Sequence, residues 1–151
     1  MTKGQDFLRL ENQTCFPIYL CAKEISNSIN SLLKPYGLTY PQFIIMMYLW
    51  EVGESNVTET ADALLLDPST VTPILKKLEI KGYVTRRRGD SDERTLHINV
   101  TKKGEELKDA TSSLPGQAKD MLGLSKSEEE QLRTLTIKTL NNIKKGEKQC
   151  Q

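Results

Sequence analysis

The sequence predicts a mainly helical fold that carries one small β-hairpin. Three observations predict it. Apolar residues recur at threes and fours through most of the chain, as they do on one-sided helices. The period drops to two in two runs, YVTRRR and TLHINV, which flank the polar stretch GDSDER. Capping residues ahead, and glycine or proline behind, bracket the helical runs.

Each element follows in order. Residues 14–34 read as a long helix with Phe16, Tyr19, Leu20, Ile25, Ile29, Leu32 and Leu33 recurring along it. Asn12 or Thr14 caps it, and Pro17 favours Thr14, because proline is comfortable only in the first turn. Pro35 and Gly37 stop it. Thr39 caps the next helix, and Pro41 lies just inside. The run PQFIIMMYLWEV is almost wholly apolar and belongs in a core. Gly53 ends it, and residues 57–65 form a short helix. Asp67 then caps a helix with Pro68 at its first position, where a missing N–H costs nothing. Its stripe is Val71, Ile74, Leu75 and Leu78, and Gly82 closes it. Pro73, inside this helix, predicts a local bend. After the two alternating runs, Thr101 caps a helix beginning KKGEEL, which SSLPG interrupts or ends. Residues 125–145 form the last helix, with Ser125 and Glu128 as a capping box and Leu132, Leu135, Leu140 and Ile143 as its stripe. The tail GEKQCQ is expected to fray.

A chain of 151 residues is one domain's worth and long enough to bury a core. No apolar run approaches the roughly 20 residues that span a bilayer. The start, MTKGQDFLRLENQ, has no apolar signal core, so a cytoplasmic protein is expected. Three cysteines, Cys15, Cys21 and Cys150, cannot all pair within one chain, and free thiols in a reducing compartment are the simplest reading. Their spacing fits no zinc template and His97 is the only histidine, so no metal or other cofactor is expected.

The net charge of +1 hides an uneven distribution. Residues 1–75 carry four basic and eight acidic side chains, residues 76–103 carry nine and four, and the remainder carries eight of each. One basic segment in a near-neutral chain suits a polyanion, although a solvated charged face reads the same way. The segment coincides with two helices joined by a short turn and followed by the hairpin, which describes a winged helix-turn-helix. A recognition helix must present short polar and basic side chains from its first half to a major groove. Ser69, Thr70, Thr72, Lys76 and Lys77 meet that need, with Pro73 among them. The hydroxyls suit base edges and the lysines suit phosphates. Arg86, Arg87 and Arg88 enter the wing and Arg94 leaves it, and the guanidinium fork suits phosphates and narrow minor grooves. Asp92 and Glu93 are expected to orient Arg94 or tighten the turn, and His97 to occupy a strand face.

The run DPSTVTPILKKLEIKGYVTRRRGDSDERTLHINVT closely resembles the recognition helix and wing of the MarR family, and DERTLHINVT resembles that family's wing signature. The resemblance extends over essentially the whole chain. It implies a single MarR-type domain over residues 1–151. The winged core spans about 38–101, and a homodimer is built from helices at about 10–36 and 104–148. Two such heads read a pseudo-palindromic operator with half-sites about one helical turn apart.

Cys15 falls among the first three residues of its helix whichever cap is chosen. Unpaired amides and the helix dipole favour a negative charge there, so a thiolate is expected and with it faster attack on a peroxide. The alternative is a small buried hydrophobe, as most free cysteines are. The stretches LENQTCF and LTYPQF, with Tyr19 and Tyr40, resemble the OhrR branch of the MarR family, repressors that sense organic hydroperoxides. That resemblance implies Cys15 as the redox sensor and Tyr40, with Tyr19 nearby, as hydrogen-bonding partners, some hydroxyls coming from the second subunit. Two departures stand out: Ile29 where the branch carries a tyrosine, and Pro17 where an aliphatic residue is usual. The implied function is a redox-sensing repressor. It binds operator DNA while Cys15 is reduced and releases it once a hydroperoxide has oxidised the sulfur. A low-molecular-weight thiol then caps the sulfenic acid, with Cys150 as a minor alternative. Three other readings compete: a MarR-type repressor released by a small phenolic or aromatic ligand, a thiol peroxidase, and a helical module that binds only protein. The chain shows no obvious arginine or histidine near Cys15 in sequence, which disfavours the enzyme.

Overall fold

The computed structural model describes residues 8–88 and 96–149, with side chains as far as Gly146. The chain divides into two compact units, Met1–Leu114 and Pro115–Gln151. The first holds α1 (Cys15–Leu33), α2 (Tyr40–Val52), β1 (Glu54–Asn56), α3 (Val57–Leu64), α4 (Pro68–Ile80), β2 (Val84–Arg88), β3 (Leu96–Val100) and α5 (Lys102–Ala110). α6 (Leu114–Asp120) and α7 (Lys126–Gln149) follow. The fold is mainly helical with a small antiparallel sheet, as the periodicity predicts. The sheet has three strands, in the order β1-β3-β2. β1 was not foreseen. It is only three polar-led residues, Glu54, Ser55 and Asn56, and pairing with Asn99, Ile98 and His97 of β3 makes it a strand.

α1 stops as its punctuation predicts. Pro35 lies in a 3-10 turn, Lys34–Tyr36, and Gly37 takes a left-handed φ of 63°. The Leu38 N–H then donates to the Leu33 carbonyl at 3.3 Å. The start of α1 departs from expectation. Thr14 precedes the helix, but its backbone is already helical and its side chain accepts no capping bond. A hydroxyl cap needs an extended backbone at that position.

α2 is the centre of the core. Phe43, Ile45, Met46 and Leu49 are buried, and Leu33, Val71, Leu75, Leu78, Val84 and Ile98 are buried with them. Its first turn is tied down by Gln42 Oε1, which accepts from the Thr39 N–H at 3.2 Å. Trp50 Nε1 donates to the Gly104 carbonyl at 3.0 Å, which fixes α2 against the start of α5. Gly104 is needed there: a Cβ would overlap the Tyr83 carbonyl oxygen and lie 2.6 Å from Val100 Cγ1.

α4 runs unbroken through Pro73 to Ile80. Its closing turn is tied by the Tyr83 N–H on the Leu78 carbonyl at 3.0 Å, with Gly82 at a φ of 76°. The SSLPG stretch ends α5 and also starts α6, whose first turn contains Pro115, where proline is tolerated. In the second unit, Glu128 Oε2 accepts from the Ser125 N–H at 2.8 Å and from its hydroxyl at 2.6 Å, as the capping box predicts. These bonds hold the Glu128 carboxyl below its ordinary pKa. α7 continues to Gln149, so Gly146–Gln149 stay helical where fraying was expected.

Candidate functional site

The reading head is assembled from the α3–α4 turn outward. Leu65, at a left-handed φ of 54°, reverses the chain, and the Leu66 N–H donates to the Ala61 carbonyl at 2.9 Å. Asp67 Oδ1 then accepts from the Ser69 N–H at 2.7 Å and starts α4. The Ser69 side chain, and after it this backbone N–H, hold the Asp67 carboxyl below its ordinary pKa. Val71, Leu75 and Leu78 point inward. Ser69, Thr70, Pro73, Lys76 and Lys77 stand exposed on the other side, at the spacing of one helical face. Thr72 is half-buried, and its hydroxyl donates to the Pro68 carbonyl at 2.8 Å.

The wing is β2 and β3. Their register pairs Val84 with Val100, Arg86 with Ile98 and Arg88 with Leu96. Arg87 and Arg88 are exposed. Arg86 is placed differently: its side chain is 18% exposed, and Nε and Nη2 both donate to Glu79 Oε2, at 2.8 and 2.5 Å. Arg94, Asp92, Glu93 and Cys150 lie outside the described residues. His97 occupies a strand face as expected, with Nδ1 2.8 Å from Glu54 Oε1, a contact that joins β3 to β1. Sequence reasoning missed both carboxylates. Glu79 and Arg86 sit seven residues apart across a helix end and a turn, and no local period exposes such a pair.

Cys15 is the first residue of α1 and is exposed, as is Cys21. Tyr19, one turn on, is 64% exposed. Phe16, Ile18 and Leu20 beside them are exposed apolar side chains. Tyr40 opens α2, and its N–H donates to Asn30 Oδ1 at 2.7 Å. Asn30 lies fifteen residues along α1 from Cys15, a rise of about 22 Å. Within one chain the structure therefore separates Tyr40 from the sulfur. Ile29 is buried near the same far end. A further connection was not anticipated. Lys81, just past α4, donates from Nζ to the Gly37 carbonyl and, at 3.0 Å, to Gln42 Oε1. Hydrogen bonds thus run from α1 through Asn30 to the start of α2, and from there through Gln42 to the end of α4. In α7, Leu132, Leu135, Ile137, Leu140 and Ile143 are exposed.

Comparison with known proteins gives a consistent result. The sequence model described as Transcriptional regulator SarA/Rot matches residues 27–111. The chain is 38% identical over 130 residues to the organic hydroperoxide resistance transcriptional regulator of Bacillus subtilis strain 168, covering 86% of each protein. Among solved structures it is similar to reduced AbfR bound to DNA, with a TM-score of 0.77 at 30% identity, covering 93% of this chain and 98% of that one. It is also similar to overoxidised AbfR bound to DNA, with a TM-score of 0.76 at 30% identity and the same coverage. AbfR is a Staphylococcus epidermidis protein.

Proposed function

Since the chain belongs to the MarR family of winged-helix transcriptional regulators, in its SarA/Rot and organic-hydroperoxide-regulator group, we propose that it is a repressor whose grip on operator DNA is released by oxidation of Cys15. The observation that carries the redox reading is the exposed cysteine at the first residue of α1, in a chain that is 38% identical over 130 residues to a hydroperoxide-resistance regulator.

In this reading a homodimer forms when second-copy surfaces cover the apolar side chains that α1 and α7 leave exposed. Each head lays the Ser69–Lys77 face of α4 in a major groove. Ser69, Thr70 and Thr72, beside Pro73, face base edges, and Lys76 and Lys77 meet phosphates. Arg88 and Arg94 carry the wing to the adjacent backbone or minor groove. The Cys15 thiolate attacks the distal oxygen of an organic hydroperoxide, ROOH. The O–O bond breaks, sulfur is oxidised to S–OH, and RO− leaves and takes a proton from water to become ROH. A low-molecular-weight thiol, R′SH, then forms a mixed disulfide with loss of water. Tyr40 of the same chain sits about 22 Å along α1, so a Tyr40 partner for the sulfur comes from the second copy, with Tyr19 of the same chain nearby. The adduct displaces that contact, and α1 passes the shift to α4 through Asn30, Tyr40, Gln42 and Lys81. The coupling required is small, since about 1.4 kcal/mol changes affinity tenfold.

The test uses duplexes selected from a random pool by the reduced protein. Reduced protein should retard the selected duplex, and cumene hydroperoxide with a thiol should abolish the shift in the wild type but not in Cys15→Ser. Equal release of Cys15→Ser, or release by a phenolic ligand alone, would remove Cys15 as the switch.

A further inference from the structure

The arginines of β2 invite a uniform reading as DNA contacts, but the geometry points to a different role for one of them. We propose that the Glu79–Arg86 pair is a brace that holds the wing at a set angle to the recognition helix, so that Arg86 is a positioning residue and not a phosphate contact. The proposal rests on the DNA-reading assignment above and concerns how that head is held in shape.

Four observations converge. First, the Nε and Nη2 edge of Arg86 is already used, since both nitrogens donate to Glu79 Oε2 at 2.8 and 2.5 Å. A phosphate-binding arginine presents such a fork to the anion. Second, the Arg86 side chain is 18% exposed, whereas Arg87 and Arg88 beside it are exposed. Third, Arg86 pairs with Ile98, which is fully buried. Paired residues share a face, so Arg86 projects from the side of the hairpin that covers the core and α4. Fourth, Glu79 is the penultimate residue of α4, and only Lys81, Gly82 and Tyr83 link α4 to β2. β1 holds the inner part of β3, and Val84 and Ile98 are buried, so the pair is a further attachment that ties the outer half of β2 directly to α4, and without it that end of the hairpin is free to tilt. Arg88, two residues further out at about 3.3 Å each, would swing with it.

The presence of Glu79 itself supports the brace. A carboxylate beside Lys76, Lys77 and three arginines opposes binding to a polyanion. The ion pair gives it a structural function, and it also cancels the charge that Arg86 would offer to DNA.

The two roles predict opposite signs. If Arg86 were a phosphate contact, Glu79→Ala would free it and remove a repelling charge. Binding would tighten and its salt dependence would steepen. If the pair is a brace, Glu79→Ala and Arg86→Ala each weaken binding by about fivefold or more, and the double variant is no worse than the weaker single. The slope of affinity against salt then stays at the wild-type value. Fluorescence anisotropy with the selected duplex at several salt concentrations reads both quantities. Arg86→Lys keeps the charge but loses the fork, and the brace predicts that it binds more weakly at an unchanged melting temperature. Hydrogen exchange on the free protein gives an independent readout, in which Glu79→Gln should speed exchange across 84–88 and 96–100. Tighter binding by Glu79→Ala, full affinity in Arg86→Lys or unaltered exchange in Glu79→Gln each overturns the brace. A wild-type protein that selects no duplex overturns the DNA-reading assignment instead.

Discussion

Gly104→Ala adds one methyl group where α5 begins, and the structure sets its cost. Alanine is the better helix former by about 1 kcal/mol, so an open helical glycine would gain stability from the change. At Gly104 the new Cβ would overlap the Tyr83 carbonyl oxygen and press on Val100 Cγ1 at 2.6 Å. Neither neighbour is a flexible side-chain end. Tyr83 is held by its own N–H on Leu78, and its carbonyl accepts from the Thr101 N–H at 3.0 Å. Relief requires the first turn of α5 to move away from the sheet. That movement strains the Thr101 cap on the Gly104 N–H at 3.1 Å and the Trp50 bond to the Gly104 carbonyl at 3.0 Å. Overpacking of this kind costs about 1–3 kcal/mol. Losing a cap and a hydrogen bond adds about 1 kcal/mol each. After the propensity gain, a net loss of about 2–4 kcal/mol is expected. With a urea slope of about 1–3 kcal/mol per molar, the unfolding midpoint should fall by at least about 0.7 M. Urea unfolding followed by circular dichroism, with Trp50 fluorescence as the second probe, measures it. A variant as stable as the wild type would show that α5 does not rest against Tyr83 as described.

The remaining predictions concern the head, its acid side and the link to α1. Lys76→Ala and Lys77→Ala should each weaken binding to all duplexes alike and reduce the salt slope by about 1, whereas Thr70→Ala should relax discrimination at one base position. Arg94→Ala, in the wing signature, should weaken binding to the selected duplex by about tenfold with the dimer intact; unchanged affinity removes that contact. The Asp67 carboxyl is held below its ordinary pKa by Ser69. Its stabilising contribution is therefore fully present above the unfolded value, near 3.9, and is lost as pH falls through the lowered folded value. Asp67→Asn should flatten that part of the acid limb in a melting-temperature profile, and a profile parallel to the wild type counts against the cap. Lys81→Met removes the Nζ group that donates to both Gly37 and Gln42. It should cost about 1 kcal/mol of stability and narrow the difference in DNA affinity between reduced and oxidised protein; an unaltered ratio would place the relay elsewhere.

What the sequence made legible was local. Asp67, Pro68 and Gly82 bound α4 because caps, first-turn proline and left-handed glycine act within a few residues. The alternation in YVTRRR and TLHINV marked β2 and β3 for the same reason. What it hid depends on distant partners. Glu54–Asn56 became a strand through β3, and no period can be read from three residues. Pro115 looked like a breaker and instead occupies the first turn of a new helix. Thr14 looked like a cap, but the 3-10 turn Leu10–Asn12 delivers the chain with Thr14 already helical. The arginines of β2 looked alike in sequence. The strand register turns Arg86 away from Arg87, and the ion pair with Glu79 separates it from Arg88, which shares its face.

The placement of Cys15 limits how oxidation can act. The sulfur lies at the exposed start of α1, and along α1 only Ile29 and Leu33, near the far end, reach the core. Oxygen added at Cys15 therefore lies outside the buried core of its own unit. Around the sulfur, Phe16, Ile18, Tyr19 and Leu20 form an apolar surface that water would not stabilise. In the proposed dimer a second chain covers that surface, and a bulky polar adduct there is felt across the interface. On the proposed mechanism the energy available is that of contacts made between chains, and it would let a small group so far from α4 move two heads out of register. Dilution sharpens the point. A protein whose switch lies at such an interface should lose its redox response at the same concentration at which the dimer dissociates, whereas a switch confined to one chain would respond at any concentration.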